Sequence, residues 1–200
     1  MPPLLTVDPP FPQPASKADL RVRMKEVRKS LGEAEVQALS HRIQTRLLDL
    51  DVVRQARTVL VYVSIGREVQ TGELLRRFWR QGKRVAVPRV LDGQVQAFEV
   101  PADCGWEKGP FGLPVPRVSS PLSAPIDVCI VPGLAFSLRC DRLGFGYGHW
   151  DRFFAQAPVS TVIGICYDRQ IVPSMPVEST DRPADLVVTE SRILFRGSSS

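Results

Sequence analysis

Ile126-Asp127-Val128-Cys129-Ile130-Val131-Pro132-Gly133, followed after a short interval by Arg142-Leu143-Gly144-Phe145-Gly146-Tyr147-Gly148-His149-Trp150-Asp151, is the stretch whose reading decides the fold class. The first run is short, apolar and β-branched and stops at Pro132-Gly133, as a strand buried on both faces does. The second places glycines at every second position ahead of an amphipathic stretch over Asp151 to Ala157, so strand, loop and helix follow in that order. Glycines so spaced permit positive φ and close backbone approach, which lets successive amides turn toward an anion. A helix opening at His149 adds its positive end there. Taken without its flanks, a glycine run of this kind reads equally well as a plain turn.

Working outward, short β-branched runs alternate with helical segments: Val59 to Val63, then Gly72 to Gln81, then Arg84 to Pro88 after the Gly82 stop, with Val95 to Val100, Thr161 to Cys166 and Leu186 to Thr189 as further strands. Upstream, Ser16 caps a helix carrying Leu20, Met24, Val27 and Leu31 at helical spacing, with Asp19 placed to complete a capping box. Gly32 ends it, and Val36, Leu39, Ile43, Leu47 and Leu50 repeat the period. The pattern predicts a single α/β domain with a central, largely parallel sheet flanked by helices and preceded by a helical pair. Its expected bounds are 17–195, with disordered tails over 1–16 and 196–200; the Pro/Gly-rich excursion from Pro101 to Pro125 has no assigned structure. Ligands of open parallel sheets gather at the carboxyl ends of the strands. The glycine loop follows one such strand and Glu68 another, so both are expected on one cleft.

At 200 residues the chain suits one domain burying roughly 70% of its unfolded surface. Its 44% hydrophobic content contains no apolar run long enough to cross a bilayer, which argues against a membrane role. The net charge of +5 favours anionic ligands, but the arginines are interleaved with acids and lack the aromatic interleaving of base-stacking surfaces, so no nucleic-acid partner is expected. Cys104, Cys129, Cys140 and Cys166 form no Cys-x-x-Cys pair and sit mostly in apolar stretches, which reads as reduced, buried thiols. With only His41 and His149 beside them, a zinc site is not expected. Met1 to Ser16 has neither a basic nor an apolar signal region, and a cytoplasmic location is expected.

Pro132-Gly133-Leu134-Ala135-Phe136, Arg142-Leu143-Gly144-x-Gly146-x-Gly148 and Asp151-Arg152-Phe153 closely resemble the signature of the 5-formyltetrahydrofolate cyclo-ligase family. Other pieces fall in that family's order: Lys17-x-x-Leu20-Arg21, Glu68-Val69-x-Thr71, Val87-Pro88-Arg89, Gly109-x-Phe111-Gly112-Leu113-x-x-Pro116, Asp181 and Thr189-Glu190. The resemblance spans Lys17 to Glu190.

What it implies is an ATP- and magnesium-dependent ring closure of 5-formyltetrahydrofolate to 5,10-methenyltetrahydrofolate. The formyl oxygen attacks the γ-phosphate of ATP, N10 closes on the formyl carbon, and ADP and phosphate leave. Such a transfer needs a phosphoryl group held in line with its charge neutralised. The resemblance places Lys17, Arg21 and the loop Arg142, Leu143, Gly144, Phe145, Gly146, Tyr147, Gly148, His149 and Trp150 on the nucleotide, with Arg142 and Tyr147 catalytic. It places Val63, Glu68, Phe111, Phe145, Gly146, Tyr147, Gly148 and His149 on the folate, and Asp151 and Asp181 on magnesium. A monomer or weak dimer is expected. Without the resemblance, Lys17 and Arg21 read as a solvated helix face, Glu68 as a capping acid and Asp151 as a first-turn acid.

The family's common pattern has Gly or Lys at position 147 and Tyr-Tyr or Phe-Tyr before the aspartate; here stand Tyr147, His149 and Trp150. A Tyr147 forced to positive φ would carry roughly 1–2 kcal/mol of strain. The alternative is a folate- or nucleotide-binding relative that kept the scaffold and lost catalysis.

Overall fold

The computed structural model describes residues 16–109, 114–117 and 119–197; Phe111 and the outer parts of both expected tails lie outside them. The chain opens with α1 (Lys17–Lys29), α2 (Glu33–Leu48) and the short α3 (Asp51–Gln55), then runs through β1 (Thr58–Val61), α4 (Gly72–Arg80), β2 (Arg84–Leu91), β3 (Gln94–Glu99), β4 (Trp106–Lys108), β5 (Pro114–Pro116) and β6 (Ser120–Pro121). After these come β7 (Ile126–Val131), β8 (Ala135–Ser137), β9 (Arg142–Leu143), α5 (His149–Gln156), β10 (Val159–Ile165), β11 (Ile171–Val172), β12 (Leu186–Val188) and β13 (Ile193–Phe195). Ser16 Oγ accepts the Asp19 amide at 3.1 Å, as the N-cap expectation requires. The second half of the capping box takes another form, since the Asp19 carboxylate accepts the Ser16 hydroxyl. Leu50 lies beyond the end of α2, where it opens α3.

Eight strands pair in the order β13-β12-β10-β7-β1-β2-β3-β6. The five from β12 to β2 are mutually parallel, while β13, β3 and β6 join antiparallel at the edges. Residues alternate between the two faces of such a sheet. Val59, Val61, Val85, Val87, Val128, Ile130, Ile163 and Ile165 therefore pack with α2, α3 and α4 in one core. Leu60, Ala86, Cys129, Val131, Val162 and Val187 pack with Phe136 and Phe153 in the other. Pro88 is tolerated in β2 because β1 pairs with β2 only as far as Ala86, leaving the far half of β2 with β3 alone.

A second sheet, β11-β8-β9, receives α1, whose Leu20 and Met24 pack on Leu134, Ala135, Leu143 and Val172. This platform sets α1 beside the glycine loop. All four cysteines are free and buried; burial pushes the Cys140 thiol up to about 11 and the Cys129 and Cys166 thiols well above their ordinary value, so none is a ready nucleophile. Among the described residues no helix is long and apolar enough to cross a membrane.

Candidate active site

Helix α1 aligns the basic side chains of the site. Lys17, Arg21 and Arg28 are spaced by four and seven residues, which puts them on one stripe about 16 Å long at 1.5 Å rise per residue. At one end Lys17 Nζ donates to Glu178 Oε1 at 2.8 Å and Asp181 Oδ2 at 2.6 Å. Burial pulls its ammonium down, but the hydrogen bonds to Asp181 and Glu178 outweigh this and hold it above its ordinary value. Burial acts the other way on Asp181, and the Lys17 bond, with the one from the Glu178 amide, outweighs it and holds that carboxyl low. At mid-helix Arg21 Nε donates to the Gly144 carbonyl at 3.0 Å. At the far end Arg28 Nη1 donates to Glu68 Oε1 at 3.2 Å, and the Arg28 guanidinium and Lys25 ammonium stand 5.3 and 5.9 Å from the Phe145 ring centroid.

The loop between β9 and α5 carries the second set of groups. Gly146 (φ 106°) and Gly148 (φ 62°) take the left-handed region, and α5 opens at His149. Tyr147 takes no positive φ, so the condition for strain is not met: the glycines on either side supply both reversals. Its ring is 71% exposed and stacks on His149, which meets Arg152 through Nδ1 at 3.0 Å. Two other loop side chains pack against apolar neighbours. Leu143 is buried beneath α1, and the half-buried Trp150 indole packs on Phe153 and Phe154.

Arg142, on β9, is held by Asp151: Nη2 donates to Oδ1 at 2.9 Å, and the Arg182 amide donates to the same oxygen at 3.1 Å. The Arg142 side chain is 5% exposed, and its buried Nε has no hydrogen-bond partner among the described residues. A buried guanidinium with a spare donor is suited to an incoming oxyanion. Because Arg182 follows Asp181, its bond to Asp151 brings the two aspartates to one place. No cluster of three or more His, Cys, Asp or Glu among the described residues could hold a metal. Two carboxylates completed by phosphate oxygens and water fit magnesium, a hard ion reluctant to shed water.

Glu68 follows β1 and is 5% exposed. Burial pushes its carboxyl up, against the pull of Arg28 and of the Ile65 amide, which donates to Oε2 at 3.1 Å. Val63 is half-buried beside the first core. Glu68 and the glycine loop thus meet across one residue, Arg28. A separate cleft of about 580 Å³, lined by His41, Arg46 and Glu190 among others, shares no lining residue with this site.

The model of the 5-formyltetrahydrofolate cyclo-ligase family matches residues 13–190. The chain belongs to that family. It is 30% identical over 179 residues to the 5-formyltetrahydrofolate cyclo-ligase of Escherichia coli K12, covering 85% of this chain and 98% of the relative. It is 27% identical over 195 residues to the probable 5-formyltetrahydrofolate cyclo-ligase of Caenorhabditis elegans, covering 90% and 95%. The solution structure of Aquifex aeolicus 5,10-methenyltetrahydrofolate synthetase superposes with a TM-score of 0.80 at 28% identity, covering 92% of this chain and 94% of the other. A Mycoplasma pneumoniae 5,10-methenyltetrahydrofolate synthetase, at 22% identity, shares the fold with a TM-score of 0.69 over 87% and 98%.

Against this cyclo-ligase background, Arg28, Glu178 and Arg182 contact the candidate residues Glu68, Lys17 and Asp151, and no motif singled them out. Arg28 was discoverable, since it continues the Lys17–Arg21 stripe by two further helical turns. Glu178 and the Arg182 amide sit in a loop without periodicity, and only the folded chain brings them to Lys17 and Asp151.

Proposed function

We propose that this chain catalyses the ATP-dependent closure of 5-formyltetrahydrofolate to 5,10-methenyltetrahydrofolate. The observation that carries the reading is the α1 stripe. One helix face touches the two-aspartate end through Lys17, the glycine loop through Arg21, and the buried Glu68 through Arg28. A triphosphate in the loop and a pterin on Glu68 would then lie side by side, as direct transfer between them requires.

In this reading Lys17, Arg21 and Arg142 neutralise the phosphate chain, and the amides of Gly146 to His149 take up its oxygens. Asp151 and Asp181 hold magnesium, which supplies charge neutralisation at the transferring phosphoryl group. Glu68 accepts paired hydrogen bonds from the amino-pyrimidine edge and fixes the pterin, with Val63 and Phe145 as apolar walls. The substrate's formyl oxygen bonds to the γ-phosphorus as the bond to ADP breaks. N10 then adds to the formyl carbon, its proton passes to the departing phosphate or to solvent, and the C–O bond breaks, so phosphate carries away the oxygen.

The direct test is to mix the protein with 5-formyltetrahydrofolate, magnesium and ATP and follow methenyl absorbance. Product that depends on ATP supports the reading, whereas binding of both ligands without product assigns the chain to the non-catalytic alternative. A second expectation concerns Lys17, which must exchange its carboxylate partners for phosphate. Lys17→Met raises KM for ATP about tenfold, the scale of one charge-assisted hydrogen bond, and leaves KM for the folate within twofold. Steady-state kinetics with each substrate varied separately checks this; equal effects on both constants would refute it.

A further inference from the structure

We propose that Arg28 is a positioning residue for the folate, acting through Glu68 by aiming both carboxylate oxygens into the cleft and tying them to the glycine loop through Phe145. The proposal rests on the reading of Glu68 as the folate contact, and it goes beyond that reading in naming what orients the contact.

An ionised carboxylate has about four acceptor positions, two on each oxygen. Arg28 Nη1 occupies one on Oε1, and the Ile65 amide occupies one on Oε2. One position on each oxygen is left, which is the pattern that a pair of parallel N–H donors reads. Held by one partner alone, the carboxylate would swing about its last torsion and present that pair in many directions. The Arg28 and Glu68 side chains are only 14% and 4% exposed, so water competes poorly for this pair.

Arg28 also makes the charge of Glu68 sustainable. Tyr62 and Tyr167 face the same carboxylate, but burial lifts both phenols above their ordinary value and they remain neutral. The opposing influences on Glu68 are therefore its own burial, which favours the protonated form, and Arg28 with the Ile65 amide, which favour the charged one. A protonated Glu68 would carry a donor of its own and could not accept two hydrogen bonds side by side. Loss of Arg28 must then weaken folate binding most where protons compete, on the acid side. The Phe145 ring, 5.3 Å from the guanidinium, sets the opposite boundary of the arginine and belongs to the loop that would hold nucleotide.

The test is the pH profile of KM and of equilibrium binding for 5-formyltetrahydrofolate in the wild type, Arg28→Met, Arg28→Lys, Glu68→Gln and the Arg28→Met/Glu68→Gln double variant. In Arg28→Met the acid rise in KM moves to higher pH. On that limb KM and Kd exceed the wild-type values about tenfold, while kcat at saturation changes less than threefold. Arg28→Lys, which keeps the charge without the planar fork, recovers part of the profile and shows that the chain still folds. In the Glu68→Gln background the added Arg28→Met changes KM less than twofold, as residues acting through one another require. A profile in Arg28→Met that superimposes on the wild type overturns the proposal, and so does an Arg28→Met effect that persists undiminished in Glu68→Gln. Wild-type folate binding in Glu68→Gln instead removes the underlying reading of Glu68, an outcome separable from the other two.

Discussion

Asp151→Asn is expected to lower turnover about a thousandfold while the protein remains folded. The carboxylate has two duties. In the proposed reading it is one of two magnesium carboxylates, supporting charge neutralisation at the transferring phosphoryl group; as the partner of Arg142 at 2.9 Å it also fixes a guanidinium that this reading aims at the same charge. Removing a single preorganised electrostatic group from such a site typically costs a hundred- to a thousandfold in rate, and here two effects fall together. Stability responds differently. Breaking a fully buried ion pair by deleting one partner costs about 3–5 kcal/mol; Asp151 is 21% exposed, so water compensates in part and about 2 kcal/mol is expected. Replacing both partners, Arg142→Met with Asp151→Asn, removes the stranded cation and should return most of that stability without returning activity. Paired measurements of methenyl formation and denaturant midpoint decide the matter. Near-wild-type turnover in Asp151→Asn would eliminate its place in the phosphoryl site, and a double variant less stable than the single would refute the ion-pair account.

The parts of this molecule readable from sequence are those whose physics is local. β1, β7 and the second half of β10 are short runs buried on both faces, and nothing but a strand satisfies so many apolar residues in so few positions. α1 and α2 declare themselves by periodicity, a cap and a glycine. The small sheet β11-β8-β9 is invisible to the same logic because its strands hold two or three residues and exist only through long-range pairs such as Phe136 with Ile171. The β2–β3 hairpin is a different matter. Asp92 (φ 49°) and Gly93 (φ 75°) form a turn with both central residues at positive φ, the preferred Asp-Gly solution for a tight hairpin, and that signal stood in the sequence unread. At the site, resemblance named Lys17, Arg21, Arg142, Asp151 and Asp181, and folding gathers all five. The partners that hold them, Glu178 and the Arg182 amide, come from a segment with no pattern to read. Tyr147 shows a further case: its position between glycines leaves open whether it must take positive φ, and in the fold Gly146 and Gly148 take both reversals.

Gly164→Ala is expected to destabilise the fold by about 3 kcal/mol and to lower Tm by about 6–12 °C. A Cβ at position 164 would lie 2.4 Å from Phe136 Cε1 and 2.7 Å from Cζ, far inside van der Waals contact. Neither side can yield cheaply. Gly164 is in β10, where it pairs with Val131 of β7 and Val187 of β12, so its backbone is fixed from both directions. Phe136 is fully buried, and its opposite edge is closed by Gly133, where a Cβ would stand 2.5 Å from Cε2. The ring is thus wedged between two glycines, and it locks the small sheet onto the large one. Phe136→Leu removes the wedged edge, so the two substitutions together should cost at least 1 kcal/mol less than their sum. Strict additivity, or a Gly164→Ala protein within 1 kcal/mol of the wild type, would refute the wedge. Because Phe136 pairs in register with Arg142 of β9, the strain is not confined to the core. A ring pushed away from Gly164 carries the guanidinium with it, so Gly164→Ala should also lose activity in excess of its unfolded fraction, whereas core damage remote from β8 should not.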